Sequence, residues 1–238
     1  MAAYGVRDGS NRLKIVKGSS LLTIPKFVAE HPDIKCDIVS VDGGHTYDIA
    51  MADISNMMNL ANPDFNVLFV DDTNCDKPAC VDKAVQEHQQ RGVVKKLYGL
   101  SERDFSRGIS VLTYDFSTWW PPVEKRQQQP ARALREVLSG SWKHIDVTPY
   151  THFANSLLGP HGTLEGGSVD LLVERQIYIA IAQLPFVKRI CEIGFNAGGS
   201  ASLWLKANPT AEVLMFDLWA HPYAKEAEAA LRNSAKMA

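Results

Sequence analysis

The sequence predicts an α/β protein built on a mostly parallel sheet, and three observations carry that expectation. Short apolar runs alternate with longer stretches of helical period, which is how a parallel sheet with crossover helices reads. Several of those runs stop at an acidic residue, as in Val41-Asp-Gly-Gly and Val70-Asp-Asp. The third is the strongest local pattern in the chain, a strand, a glycine loop and a helix between Val187 and Ala207.

The elements follow in order. Leu13 to Val16 is a strand candidate, and after Gly18-Ser19-Ser20 a helix runs to about Glu30. Cys36 to Val41 is a clearer strand, ending at Asp42-Gly43-Gly44-His45. The helix from about Tyr47 to Leu60 carries Ile49, Ala52, Ile54, Met57, Met58 and Ala61 along one stripe, with the methionines as core filler. Phe65 to Val70 is a strand that ends at Asp71-Asp72, and Ala79 to Gln90 a helix stopped by Gly92. Val93 to Tyr98 and Ile109 to Tyr114 form a closing pair of strands.

Thr118 to Pro130 lacks periodicity and is rich in proline and glutamine, so it reads as a linker. A helix follows near Ala131 to Leu138, and Trp142 to Gly167 reads as irregular cover. Val169 to Ala182 is a helix that breaks at Pro185. Then come the strand Val187 to Ile193, the loop Gly194 to Gly199 and the helix Ser200 to Ala207. Glu212 to Phe216 is a strand ended by Asp217, and Ala224 to Arg232 a last helix.

Bulk properties narrow the class. A chain of 238 residues suits one decorated α/β domain or two small ones, and 45% hydrophobic with 22% charged residues is ordinary for a soluble protein. A formal charge of -2 gives no basic excess for nucleic acid or an anionic membrane. No apolar run approaches the ~20 residues of a membrane helix, so a soluble, cytoplasmic protein is expected, with neither nucleic acid nor membrane as partner. Cys36 and Cys191 read as buried thiols, and Cys75 and Cys80 have no zinc-site spacing. No disulfide framework is expected, which favours a reducing compartment.

In parallel α/β sheets, ligands sit where strand ends meet a reversal in strand order. Glycines in the loop let the backbone approach a ligand, and an acid ending the next strand can take two ribose hydroxyls. Gly194, Gly198 and Gly199 supply such a loop and Asp217 the acid; the pattern is not the dinucleotide G-x-G-x-x-G.

The segment Glu192-Ile-Gly-Phe-Asn-Ala-Gly-Gly-Ser200 resembles the first motif of class I S-adenosylmethionine-dependent methyltransferases, acidic-x-Gly-x-x-x-Gly. The resemblance implies a Rossmann-like, doubly wound α/β sheet of seven strands, mostly parallel with one antiparallel strand. It implies S-adenosylmethionine as cofactor, with Glu192, Gly194, Asn196, Gly198 and Ser200 around the methionine part and Asp217 on the ribose. Val41-Asp-Gly-Gly-His-Thr-Tyr47 and Val70-Asp-Asp-Thr-Asn74 resemble the fourth and fifth strand ends of a small-molecule O-methyltransferase branch. Several members of that branch hold a divalent metal through these aspartates. Gly18 and Ser19 fit the loop after the third strand, near the adenine end, and Asp42 a strand end that often touches cofactor.

Against that family the order is rotated. Residues 1–117 read as the back half, strands three to seven; 118–168 as linker and cover; 169–238 as the front half, strands one and two. Two explanations stay open: a circularly permuted domain, or a window cut across a tandem repeat whose copies overlap at Met-Ala. Either way one composite domain is expected, alone, as a homodimer or beside a neighbouring copy.

Three carboxylates at neighbouring strand ends, Asp42, Asp71 and Asp72, are the candidate ligands of an Mg2+-like ion that would acidify and fix an acceptor hydroxyl. His45 and Asp42 are the candidate catalytic pair, His45 as general base. Plainer roles compete: Asp42 bonding its own Gly43-Gly44 loop, Asp71 or Asp72 capping a turn, His45 capping the next helix. Trp119 and Trp120 either shape an acceptor pocket or pack the linker, while His144, His152 and His161 match no metal motif. The leading expectation is O-methylation of a small hydroxylated molecule; the alternative is a non-catalytic fragment of the same fold.

Overall fold

The computed structural model describes residues 12–74, 80–99, 108–117, 128–150 and 172–234. The expectations for the Met-Ala overlap, Cys75, Trp119, Trp120, His152, His161 and most of the linker lie outside those residues.

One seven-stranded sheet organises the chain. In chain order the elements are β1 (Leu13–Lys17), α1 (Ser20–Glu30), β2 (Ile38–Val41), α2 (Tyr47–Met58), β3 (Val67–Asp71), α3 (Val81–Gln90), β4 (Val94–Gly99) and β5 (Ile109–Tyr114). There follow α4 (Gln128–Leu138), a 3-10 turn at Ser141–His144, α5 (Leu172–Ala182), β6 (Arg189–Ile193), α6 (Gly199–Ala207), β7 (Glu212–Asp217) and α7 (Ala224–Ser234). The strand order is β1-β7-β6-β2-β3-β5-β4, and β5 alone runs antiparallel to its neighbours.

Every strand puts alternate side chains on opposite faces, and the two halves of the chain cover different faces. Val39, Val41, Leu68, Val70, Leu214 and Phe216 meet Ile24 and Phe27 of α1, Ile54 and Met57 of α2, and Ala84 and Val85 of α3. Ile38, Val67, Phe69, Ile190, Val213 and Met215 meet α4, α5, α6 and α7, with Trp204 at the centre. Each fully buried side chain of this size is worth roughly 1.5–3 kcal/mol. Neither half could retain a covered sheet alone.

Polar clips close the seam between the halves. Lys188 and Arg189 donate their backbone N–H groups to Asp37 Oδ2 at 2.7 and 3.1 Å. Arg12 donates to the carbonyls of Leu205, Asn208 and Ala211, and Arg232 to that of Leu13. Cys36 and Cys191 correct the sequence reading: both are fully buried as expected, but their sulfurs are bonded in a disulfide across this seam, with Cα atoms 5.8 Å apart. That separation lies within the range a disulfide spans.

Two further differences from the sequence reading have local causes. α4 begins at Gln128, inside the expected linker, because Pro130 falls in its first turn, where a missing N–H is harmless. The buried positions of α2 are Ala50, Asp53, Ile54 and Met57, a cleaner helical stripe than the apolar one, with a carboxyl inside it.

Candidate cofactor site and active site

The chain runs outward from the centre of the sheet in two directions, β6 to β7 on one side and β2 to β3 on the other. The reversal lies between β6 and β2, which pair with Ile193 opposite Val41. A parallel sheet opens a crevice at such a point. Here the crevice is a cavity of about 590 Å³ between the loops that follow β1, β2, β6 and β7.

Gly194 makes the close approach of those loops feasible. Its φ is 101°, in the region side chains avoid, and a Cβ there would come within 2.0 Å of the Asp42 carbonyl oxygen. Gly198, at φ 74°, turns the loop into α6, and Asn196 adopts a left-handed φ of 48° while its Oδ1 accepts from Tyr223 Oη at 2.7 Å. Asp217 ties this loop to the end of β7. Its Oδ2 accepts the N–H groups of Phe195 and Asn196 at 2.8 and 3.1 Å, and its Oδ1 that of Trp219 at 2.6 Å. A carboxylate offers about four lone-pair sites, so Asp217 keeps acceptor capacity on Oδ1.

Glu192 lies beneath the loop, 1% exposed. Ser40 donates to its Oε1 at 3.1 Å, and Ser200 and Trp204 Nε1 donate to Oε2 at 2.8 and 3.0 Å. Burial pushes its pKa up to about 7, the three hydrogen bonds pull the other way, and Asp71 adds repulsion. Of the nine residues the resemblance assigns to the cofactor, Ser19, Asp42, Gly194, Asn196 and Asp217 line the cavity. Gly18, Glu192, Gly198 and Ser200 stand behind that lining. Gly18 donates its N–H to the Asp217 carbonyl, so it anchors the wall from outside.

The strand ends of β2 and β3 form an acidic corner. Ligand atoms of Asp42, His45 and Asp72 lie within 4.8 Å of one another. His45 Nδ1 is 3.1 Å from Asp72 Oδ2, yet that buried oxygen has no hydrogen bond, and Asp72 holds a left-handed φ of 56°. Asp71 is not in this cluster; its Oδ1 accepts the Asp72 N–H at 2.8 Å. The side chain of Asp42 is exposed at the cavity wall. Packing of protein atoms around its carboxyl raises its pKa, and Asp71, Glu192, Glu174 and Asp72 add to the rise. Glu174 of α5 is raised too, by burial first and then by Asp71.

Two carboxylates, one with an orphaned buried oxygen, converge on an imidazole, so these three residues could each offer a cation one ligand atom. The donor set differs from the expected aspartate trio by exchanging Asp71 for His45. An imidazole ligand favours a transition-metal ion over Mg2+.

Sequence reasoning missed several wall residues. Leu21, Ile49, Leu218 and His221 line the cavity; their one sequence signal is position beside the expected loops. Glu174 and Asp53 gave none, because an acid inside a helical pattern reads as solvent-facing.

Comparison with known proteins bears on the fold. Neither a family model nor a curated protein matches the sequence. Among solved structures, the chain is similar to the crystal structure of M1.HpyAVI, with 12% identity and a TM-score of 0.52 over 92% of this chain and 98% of that one. The crystal structure of the M1.HpyAVI–SAM complex gives 11% and 0.51 over the same shares. At such identity the likeness speaks for the fold, and the fold is that of the class I methyltransferases. No helix among the described residues is long and apolar enough to cross a membrane.

Proposed function

We propose that this protein is an S-adenosylmethionine-dependent methyltransferase acting on a hydroxyl of a small molecule, with its domain in circularly permuted order. The observation that carries the reading is the Asp217 carboxylate, hydrogen-bonded to the glycine loop and open to the cavity at the sheet's reversal point. The fold's likeness to a protein crystallised with SAM supports the choice of cofactor.

When bound, S-adenosylmethionine supplies an electrophilic methyl group; the chain's residues do the rest. Asp217 takes the ribose hydroxyls, and Gly194 and Asn196 border the methionine end. His45, on the cavity wall and open to solvent, takes the proton of the acceptor hydroxyl. Asp42, on the same wall, is the second candidate for that proton. In a metal-loaded form, a divalent ion on Asp42, His45 and Asp72 would instead act as a Lewis acid on that hydroxyl and fix its position, because a ligating imidazole no longer serves as the base.

Calorimetric titration with S-adenosylhomocysteine tests the cofactor assignment. Micromolar binding is expected, and its loss in Asp217→Ala; a folded chain that binds nothing refutes it and leaves a non-catalytic module. Methyl transfer is then assayed on catechol-like diols, with duplex DNA in the panel because fold alone does not fix the acceptor. Activity restored by Mn2+ after chelation, and lost in Asp72→Asn, is expected of the metal-assisted form; full activity in chelator excludes it.

A further inference from the structure

We propose that Asp53 is a positioning residue that couples the two loops on either side of the cofactor cavity, the one after β1 and the one after β2. The proposal rests on the cofactor site assigned above and adds a residue that no motif marks. Asp53 lies in α2 with none of its surface exposed, and neither side-chain oxygen has a hydrogen-bond partner. A carboxyl so placed costs stability, and α2 would pack as well with an apolar residue at this position.

Its surroundings give the carboxyl a use. On one side is the β2 loop: a Cβ added to Gly43 would come within 3.0 Å of Asp53 Oδ2, so the carboxyl supports that glycine from below. On the other side is Ser20, the first residue of α1. Its hydroxyl is near enough to favour the ionised carboxyl, short of hydrogen-bond geometry, while burial raises the carboxyl's pKa. Ser20 and Gly43 both line the cavity.

The start of α1 also lacks a cap of its own. Ser19 makes no side-chain cap bond, and no acid lies in the first turn. A carboxylate from the neighbouring helix supplies negative charge at that N-terminus. The titratable group facing Asp53 from the sheet side is the buried, uncharged hydroxyl of Tyr114 on β5, which donates to the Ile54 carbonyl at 2.7 Å and whose pKa is raised by burial and by Asp53. Asp53 is therefore positioned to set the spacing of two cavity walls without touching the cofactor.

The test separates charge from bulk. In Asp53→Leu, thermal stability is expected to hold or rise, while S-adenosylhomocysteine affinity falls about tenfold. Asp53→Asn, the safer variant for folding, is expected to lose a smaller part. Ser20→Ala should cost little more when added to Asp53→Leu, because both act through one contact. A folded Asp53→Leu protein with wild-type affinity overturns the proposal. If the wild-type chain binds no S-adenosylhomocysteine, the cofactor reading fails on its own, and hydrogen exchange in the ligand-free proteins decides this one. Faster exchange at both residues 18–21 and 43–45 in Asp53→Asn and Asp53→Leu supports coupling; unchanged exchange at either loop refutes it.

Discussion

The buried acids beneath the cavity make stability depend on pH in a direction opposite to that of most paired carboxylates. Glu192 has an ordinary pKa of 4.5 and in the folded protein one of about 7, because burial outweighs the hydrogen bonds from Ser40, Ser200 and Trp204. Between those values the folded state holds a proton that the unfolded state has released. Stability therefore falls as pH rises from about 4.5 to about 7, and this group's loss is complete above that. At about 1.4 kcal/mol per pH unit the loss is about 3 kcal/mol. Glu174, buried and also raised, deepens it. Glu192→Gln removes the titration while keeping one oxygen for Trp204 and Ser200; its amide faces Ser40, whose hydroxyl can turn to accept. Urea unfolding at several pH values from 4.5 to 8 measures the effect. The wild-type curve should slope down across that window, and the Gln variant should flatten by about 3 kcal/mol. Parallel curves for the two proteins would refute the reasoning, since Glu192 would then be ionised in both states.

Two other perturbations test the same frame. Gly194→Ala puts a Cβ against the Asp42 carbonyl at a positive φ and should cost about 3 kcal/mol or more by denaturant unfolding, with cofactor binding lost. Gly199→Ala, with nothing within 4 Å of the added carbon, is the control and should stay within about 0.5 kcal/mol. Cys36 and Cys191, joined over a separation of 155 residues, should resist alkylation in the unfolded, unreduced protein. Reduction should lower stability by as much as about 5 kcal/mol on chain-entropy grounds; quantitative alkylation without reductant would refute the bond.

The elements were legible because each strand is an apolar run ended by a polar turn, and each crossover helix carries a helical period. The loop of Gly194 and the acid Asp217 were legible because local geometry restricts residue type there: Gly194 admits no side chain, and Asp217 must accept loop amides. What escaped was set by distant neighbours. Asp71 and Asp72 are adjacent in sequence, yet one bonds its neighbour's N–H while the other turns toward His45, a choice made by the left-handed φ of Asp72. Asp53 and Glu174 sit on buried helix faces where pattern reading expects apolar side chains. The pairing of Cys36 with Cys191 depends on β2 lying beside β6, which no local signal contains.

Chain order itself can be tested, because a sheet depends on which strands are neighbours and not on where the chain is cut. β6, which begins the glycine loop, sits between β7 and β2, so the last strands in sequence occupy the middle of the sheet beside the first. The end of α7 lies against the start of β1, since Arg232 Nη1 donates to the Leu13 carbonyl at 3.1 Å and Lys17 pairs with Glu228 at 3.0 Å. A helix ending beside the start of a parallel strand is the geometry of an ordinary crossover connection. Joining residue 238 to residue 1 and opening the chain between 118 and 127 makes β6 the first strand and leaves every strand pairing unchanged. Such a rearranged chain should fold to the same circular-dichroism spectrum and bind S-adenosylhomocysteine within about threefold of the original. A rearranged chain that folds but does not bind would show that the loops around the cavity depend on the present termini. One that fails to fold would count against the permutation, because the seam between the halves would then need the existing connection to form.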